Sequence, residues 1–471
     1  MSTTTDLCFT PATELREEIR AKRLSPFELM EAVLARVAEA EPSVHAFMTL
    51  DADGALAAAR EAEAAVTRGD DLGPLHGIPV SIKDLFATKG MRTTNGSKFF
   101  ENNVPDFDVP AVERIRDAGA IIFGKTNTPA FGHKDMCDNL LMEASRNPWN
   151  LERTTGASSG GAGAAIAVGE GPLALGSDGA GSIRIPAALC GIYGLKPSFG
   201  RVPFWPSADY WTTRSHIGPM SRTVRDSALL LSVMAGADHR DPLSIDAPPD
   251  DFLAACDGDL KGLRVAWSAD LGYAPVDPEI RALTEKAAQR FSDLGCEVVE
   301  ANPAWDIPAD WHAILYRSGI AAKYGPQVAE RPEWVDPSLA AIVEIGKNIT
   351  TGELLGALTA RAAFYDQARA FMDQYDLLLT PAMPCVAWPY DSQPGDIDGQ
   401  PIQQLSGGRW PFMFPFNVTG WPAASVPCGF TSEGMPVGLQ IVAPWHRDDL
   451  CLRASAAYEA AAPWADARPP V

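Results

Sequence analysis

The chain has 471 residues, with 39 Lys and Arg against 60 Asp and Glu, a formal net charge of −21. At 46% apolar and 21% charged it can bury a large core, which excludes a disordered chain. The acidic balance argues against nucleic acid or an anionic membrane as partner, because both need a basic footprint.

The first residues, 1–10, carry neither a basic segment nor an apolar one, so no secretory signal is read there. Leu15, Ile19 and Leu24, then Phe27, Leu29, Ala32, Val33 and Val37, recur at helical spacing. Ser25-Pro26 predicts an N-cap followed by Pro at the first helical position. Ala55 to Val66 predicts an Ala-rich helix that stops at Gly69. From Gly77 the texture changes. Strands are expected at 77–83, 120–123 and 172–176, with helices at 111–118 and 160–168 between them. Such alternation indicates an α/β domain with parallel strands in its sheet.

Further on, RVAW (264–267) and 297–299 flank a helix over 278–294, a βαβ-like unit. Residues 311–375 read as largely helical, 376–379 as a strand, and prolines crowd 381–415. Strands at 424–426 and 437–442 and a helix over 448–461 complete the chain. Length alone allows about three domains of about 150 residues, but no linker or repeat marks a boundary. One domain over 1–471 is expected, with a helical N-terminal part (1–70) and a helical insertion at about 305–375. The eight cysteines lie far apart without a C-x-x-C pair, and no run of 18 apolar residues occurs. Both facts suit a cytoplasmic protein with reduced thiols.

The segment that carries chemistry is TTGASSGGAGAAIAVGEGPLALGSDGAGSIRIPAA, Thr154 to Ala188. A phosphate loop would need a Lys after the glycines, and none follows. A dinucleotide fingerprint would need G-x-G-x-x-G after a strand, and Gly161-Ala-Gly163 continues as Ala164, Ala165, Ile166. Gly156-Ala-Ser158-Ser-Gly160 does fit G-x-S-x-G, the nucleophile elbow of α/β-hydrolases. That elbow must follow a buried strand, whereas Arg146 to Thr155 is polar and broken by Pro148.

The run Gly156 to Gly161, followed by Asp178-Gly-Ala-Gly-Ser182-Ile-Arg-Ile-Pro186, closely resembles the defining stretch of the amidase signature family. Lys83, within Val80-Ser-Ile-Lys-Asp-Leu-Phe86, matches that family's separate lysine motif at the family's spacing. The resemblance runs from about Leu75 to about Val442 and includes Gly124 to Asn127, Arg146 to Trp149, Leu379 to Pro381 and Phe416 to Gly420. Departures are small: Ala157 and Ala180 stand where Gly is commonest, and Gly179 where Thr or a larger residue is common. The resemblance implies one α/β/α domain with a mixed, mostly parallel twisted sheet covered by helices.

It also implies roles. Ser182 becomes the nucleophile, Ser158 a bridging serine on a cis peptide, and Lys83 the base. A hydroxyl attacks only once a base takes its proton, and Lys83 can do so only if burial keeps it neutral. The backbone N–H groups of Gly179, Ala180 and Gly181 would hold the oxyanion. Asp178 and Arg184 flank this loop and read as a buried ion pair holding it rather than as direct catalysts.

Seven histidines are scattered without H-x-x-x-H or H-E-x-x-H, so neither metal nor other cofactor is expected. His76 reads as structural, and Cys137 as a buried free thiol. Gly132, Trp205, Trp211 and Trp410 are candidate substrate contacts. The last three belong to two Pro-broken aromatic clusters, Phe204-Trp205 with Tyr210-Trp211, and Trp410, Phe412, Phe414, which suit a core or a pocket wall equally. Two functions stay open. One is a free-standing hydrolase of bulky or aryl amides, with carbamates and esters within reach. The other is the glutamine-hydrolysing component of a tRNA-dependent amidotransferase. For the first, the expected partners are a small-molecule amide or carbamate and at most a second copy of the chain, with no nucleic acid and no membrane.

Overall fold

A computed structural model describes residues 4–207, 209, 214–247, 250–402 and 410–471. Among these, one sheet holds eleven strands. They are β1 (Phe47–Leu50), β2 (Pro79–Lys83), β3 (Ile121–Thr126), β4 (Leu173–Asp178), β5 (Tyr193–Lys196), β6 (His216–Ser221), β7 (Arg264–Trp267), β8 (Glu297–Glu300), β9 (Leu377–Pro381), β10 (Ala423–Phe430) and β11 (Pro436–Val442). Their spatial order is β1-β3-β2-β4-β6-β5-β10-β11-β9-β7-β8.

The sheet is mixed, and helices cover it. Its parallel pairings form two triples, β3-β2-β4 and β9-β7-β8, where crossover segments return the chain in the same direction. From β4 through β6, β5, β10 and β11 to β9 every pairing is antiparallel. The parallel character expected from strand–helix alternation is therefore confined to the two flanks. β2, β3, β9 and β11 are buried at every residue, as strands covered on both faces should be.

Local sequence explains the helices that brace the site. The Ser25 hydroxyl accepts from the amides of Phe27 and Glu28, and Glu28 reaches back to Ser25, so a capping box starts the Pro26–Val44 helix. Gly69, at φ 81°, ends the Ala52–Arg68 helix in the left-handed region that glycine adopts freely. All nine residues of the Gly160–Val168 helix are buried. Its small side chains let it lie against the Arg184–Cys190 helix: a Cβ at Gly163 would sit 3.0 Å from Pro186 Cβ.

The expected elements are present, with ends shifted by a few residues. Sequence patterning overlooked β1, β5, β6 and the Val224–Met234 helix. β1 and β5 have four residues each, too few to show a period. β6 contains Gly218-Pro219, which reads as a turn. The polar approach to Ser158 is partly a strand, Asn150–Thr154, but it pairs with Arg146–Asn147 in a separate ribbon. Residues 309–372 contribute three helices, Ala309–Glu330, Pro337–Gly346 and Thr351–Met372, between edge strand β8 and β9. Among the described residues no helix is long and apolar enough to cross a membrane.

Candidate active site

Lys83 ends β2, between β3 and β4, with 0% of its surface exposed. Its Nζ lies 2.7 Å from Ser158 Oγ, 3.0 Å from Ser159 Oγ and 3.0 Å from Ser177 Oγ. Burial lowers its pKa from 10.5 to about 7, against weaker opposing effects of Cys137 and Asp178. A neutral amine has two N–H bonds and one lone pair, so one of the three hydroxyls can then direct its proton at Nζ. Ser159 is committed elsewhere, since its hydroxyl donates to the Ser177 carbonyl at 3.2 Å. Cys137 sits beside this cluster, but burial pushes its thiol up to about 11, which keeps it protonated.

Ser158 is buried and follows a cis peptide from Ala157. Gly132 closes over it: a Cβ there would lie 3.0 Å from Ser158 Oγ, and its φ of 71° already favours glycine. The Ser159 amide donates to the Ser182 carbonyl at 3.0 Å, which ties the two serine loops together. Ser182 itself is half-buried, as are Gly179 and Ala180.

The loop carrying Ser182 is fixed by a polar network with no exposed member. Asp178 makes a two-point ion pair with Arg184, Oδ2 to Nε at 2.9 Å and Oδ1 to Nη2 at 3.0 Å. Arg184 also donates to Gln440 at 2.7 Å and to Asn417 at 2.6 Å, and Asn417 donates back to the Asp178 carbonyl at 2.9 Å. Burial alone would raise the Asp178 carboxyl, but the Arg184 guanidinium outweighs it and holds the group well below its ordinary range. The pair holds the loop, as its sequence position suggested. It also has a consequence for the loop amides. Gly181 N–H donates to Asp178 Oδ1 at 2.7 Å and so points away from the cleft. Among the described residues the N–H groups of Gly179, Ala180 and Ser182 meet no acceptor. Gly181 has its own constraint, since a Cβ there would sit 2.7 Å from Met413 Cγ at φ 111°.

The other expected residues are placed as follows. His76 bonds the Ala62 carbonyl at 2.9 Å, a structural contact. Phe412 and Phe414 are buried, and Phe414 stacks on His312 at 4.7 Å. Trp410, 3% exposed, packs on Trp388 at 4.9 Å and donates to Asp135 at 2.8 Å. It is thus a strut behind the loop that carries Gly132. Phe204 packs against the core, and Trp205 meets Phe107 at 5.4 Å and Arg240 at 5.0 Å. The described aromatics are thus core or surface packing rather than an exposed cleft wall. Tyr210 and Trp211 lie outside the described residues. Sequence reasoning missed the partner roles of Ser159, Ser177, Asn417 and Gln440. Ser159 adjoins a named serine and Asn417 lies in the Phe416 to Gly420 stretch, so two of the four had a visible signal.

A family model described as Amidase matches residues 28–452. An acylamidase of Rhodococcus erythropolis is 41% identical over 463 residues, 97% of this chain and 96% of that protein. A glutamyl-tRNA(Gln) amidotransferase component from Roseiflexus sp. (strain RS-1) is 37% identical, covering 96% of each chain. The crystal structure of a bacterial aryl acylamidase of the amidase signature family superposes with a TM-score of 0.90 at 30% identity, over 97% of both chains. With its lysine and serine motifs gathered at the head of β2 and β4, the chain belongs to the amidase signature family and is an enzyme that hydrolyses amide carbon–nitrogen bonds.

Proposed function

We propose that the enzyme cleaves bulky or aryl amides by acyl transfer to Ser182, with Ser158 and Lys83 as proton relay and base. The observation that carries this reading is the fully buried Lys83, lowered to about 7 and surrounded by three serine hydroxyls. Ser182 Oγ attacks the carbonyl carbon while its proton passes through Ser158 Oγ to Lys83 Nζ. The carbonyl π electrons move to oxygen, where the amides of Gly179, Ala180 and Ser182 have hydrogen bonds to give. Collapse breaks the C–N bond, and the leaving nitrogen takes the proton back along the relay. Water then attacks the acyl-Ser182 ester with the same proton path, releasing the acid. A carbamate or ester presents the same carbonyl to Ser182 and belongs to the proposed range. The aryl acylamidase likeness supports aryl amides, and the acylamidase likeness an acyl amide substrate.

The test compares kcat/KM for an anilide, an aryl carbamate, acetamide and glutamine in wild type and Ser182→Ala. The anilide should lead and acetamide trail, with all turnover lost in the variant. A lead for glutamine, together with co-purifying partner proteins and dependence on tRNA, would replace this reading by the amidotransferase one, which the 37% relative favours.

A further inference from the structure

The Ala309–Glu330 helix carries His312, Tyr316 and Tyr324, which meet the segments around Gly132 and Met413 that pack on the serine loops. Tyr324 stacks on Phe131 at 4.0 Å, next to Gly132. The Tyr316 hydroxyl donates to the His133 carbonyl, and the Arg214 guanidinium lies over the Tyr316 ring at 5.2 Å. His312 stacks on Phe414, one residue from the Met413 that confines Gly181. The Arg214 carbonyl faces Asn417 Nδ2 at 3.5 Å, and Asn417 is bonded to Asp178. The helix therefore spans from the loop over Ser158 to the loop bearing Ser182.

Two polar side chains on this span are left without work. His312 is 0% exposed, and among the described residues neither ring nitrogen has a hydrogen-bond partner. Arg214 Nε is buried without a partner, and among the described residues its guanidinium donates no hydrogen bond. Buried donors are almost always paired, so two such groups around Tyr316 point to a guest. The charge indicates which guest. Among the described residues Asp209 is a carboxylate that acts on both Arg214 and Arg361. Asp135 is occupied by Trp410 and Gln393. Burial lowers Arg214 only to about 10, so it stays cationic at neutral pH. His312 is held well below its ordinary value by burial and by the two arginines, so it stays neutral with one donor to offer.

We propose that Arg214 and His312 form a second recognition point, which binds a carboxylate carried by the substrate away from its scissile carbonyl. This rests on the Ser182 hydrolase reading, and it makes Arg214 and His312 specificity residues, with no part in the proton relay. An Arg fork matches a carboxylate's two oxygens, and the imidazole N–H adds a third contact.

The test uses two matched pairs: butyryl and glutaryl p-nitroanilide, with the carboxylate on the acyl side, and acetanilide and 3-carboxyacetanilide, with it on the amine side. Wild type should prefer the carboxylate member of one pair by at least about tenfold in kcat/KM, the size of one charge-assisted hydrogen bond. Arg214→Met should lower that member at least about tenfold more than its uncharged mate, chiefly through KM. Arg214→Lys should retain part of the preference, and His312→Phe should weaken it. Because a variant can fail to fold, glutarate and butyrate are also compared as inhibitors of wild type, where glutarate should act at a concentration at least about tenfold lower. Equal inhibition with no preference in either pair, or equal losses for both members in folded Arg214→Met, would overturn the proposal. Absence of turnover for every anilide would overturn the hydrolase reading instead, and calorimetric binding of glutarate would still decide this one.

Discussion

Lys83 and Lys125 lie on adjacent parallel strands, β2 and β3, in a register that sets Lys83 opposite Thr126 and Lys125 opposite Ile82. Both are fully buried, and burial lowers both, Lys83 to about 7 and Lys125 to about 8. Their partners differ. Lys125 Nζ donates to the Phe86 carbonyl, to Thr88 Oγ1 at 2.8 Å and to Thr93 Oγ1 at 2.9 Å. The Thr88 hydroxyl donates onward to the Phe86 carbonyl, and that of Thr93 to the Met91 carbonyl, each at 3.1 Å. Every oxygen around Lys125 is therefore an acceptor with no proton to give, and the site favours the ammonium. Around Lys83 only Ser159 is committed in this way. A lowered pKa does not by itself make a base. The proposed base also needs a hydroxyl whose proton can turn toward the amine, which Lys83 has and Lys125 lacks.

The largest expected effect lies at the far end of that proton path. Ser182→Ala should lose at least about 10⁴-fold in kcat, and a fluorophosphonate adduct located by mass spectrometry should sit on Ser182. An adduct on Ser158 would move the nucleophile and with it the meaning of Lys83.

Next come the two lysines themselves. Lys83→Met should lose about 10²–10⁴-fold in kcat with little change in KM. In wild type kcat/KM should rise with pH through about 7, because the neutral amine is the active form. Lys125→Met should keep that limb and most of its kcat while melting at lower temperature, since it leaves the Thr88 and Thr93 hydroxyl oxygens without a donor. If the limb moved with Lys125 and not with Lys83, the contrast between them would be reversed.

A smaller effect is expected at Gly132, whose Cβ would press on Ser158 Oγ. Gly132→Ala should reduce kcat about tenfold, with about 1–3 kcal/mol lost in stability from the positive φ. A variant with wild-type kcat would detach Ser158 from the relay.

The smallest effect concerns a buried carboxyl with no partner among the described residues. Glu170 is 1% exposed, neither carboxylate oxygen has a partner among the described residues, and burial with nearby Glu41 raises its pKa well above 4.5. The folded state thus holds a proton that the unfolded state releases above about 4.5, so this group makes stability fall as pH rises through that range. Glu170→Leu should stabilise the protein by about 1–3 kcal/mol at pH 8 in denaturant titrations, with the gain shrinking towards pH 4.5. A gain independent of pH would mean that Glu170 is ionised in the folded state.

The contrast between the lysines also marks how far sequence could be read. Ser158 and Ser182 could be singled out as candidates because small-residue loops leave a dense local pattern, Lys83 only through its separate motif on β2, and the Asp178–Arg184 pair because both members flank one of those loops. Lys125 stands in the Gly124 to Asn127 stretch, and nothing in that stretch tells its role from that of Lys83. The difference lies in threonine hydroxyls that only the folded chain brings round. The strand ladder was legible where strands are long or framed by helices, and illegible at β6, where Gly218-Pro219 carries a turn signal inside a fully buried strand. Arg214, in the loop before β6, and His312, in the helical insertion, gave no signal, since a single polar residue reads as surface until its neighbours are known.

The three helices over 309–372 leave the sheet after β8 and rejoin it at β9, with only β7 between those strands. Entry and exit are therefore close neighbours, and the segment forms an exchangeable cassette. The charge state of Lys83 is set by β2, β4 and the serine loops, none of which belongs to it. On the proposed reading, grafting this cassette between relatives should change the substrate range while leaving Lys83 and the serine loops in place, and engineering for a chosen amide should begin there and not at the glycine loops.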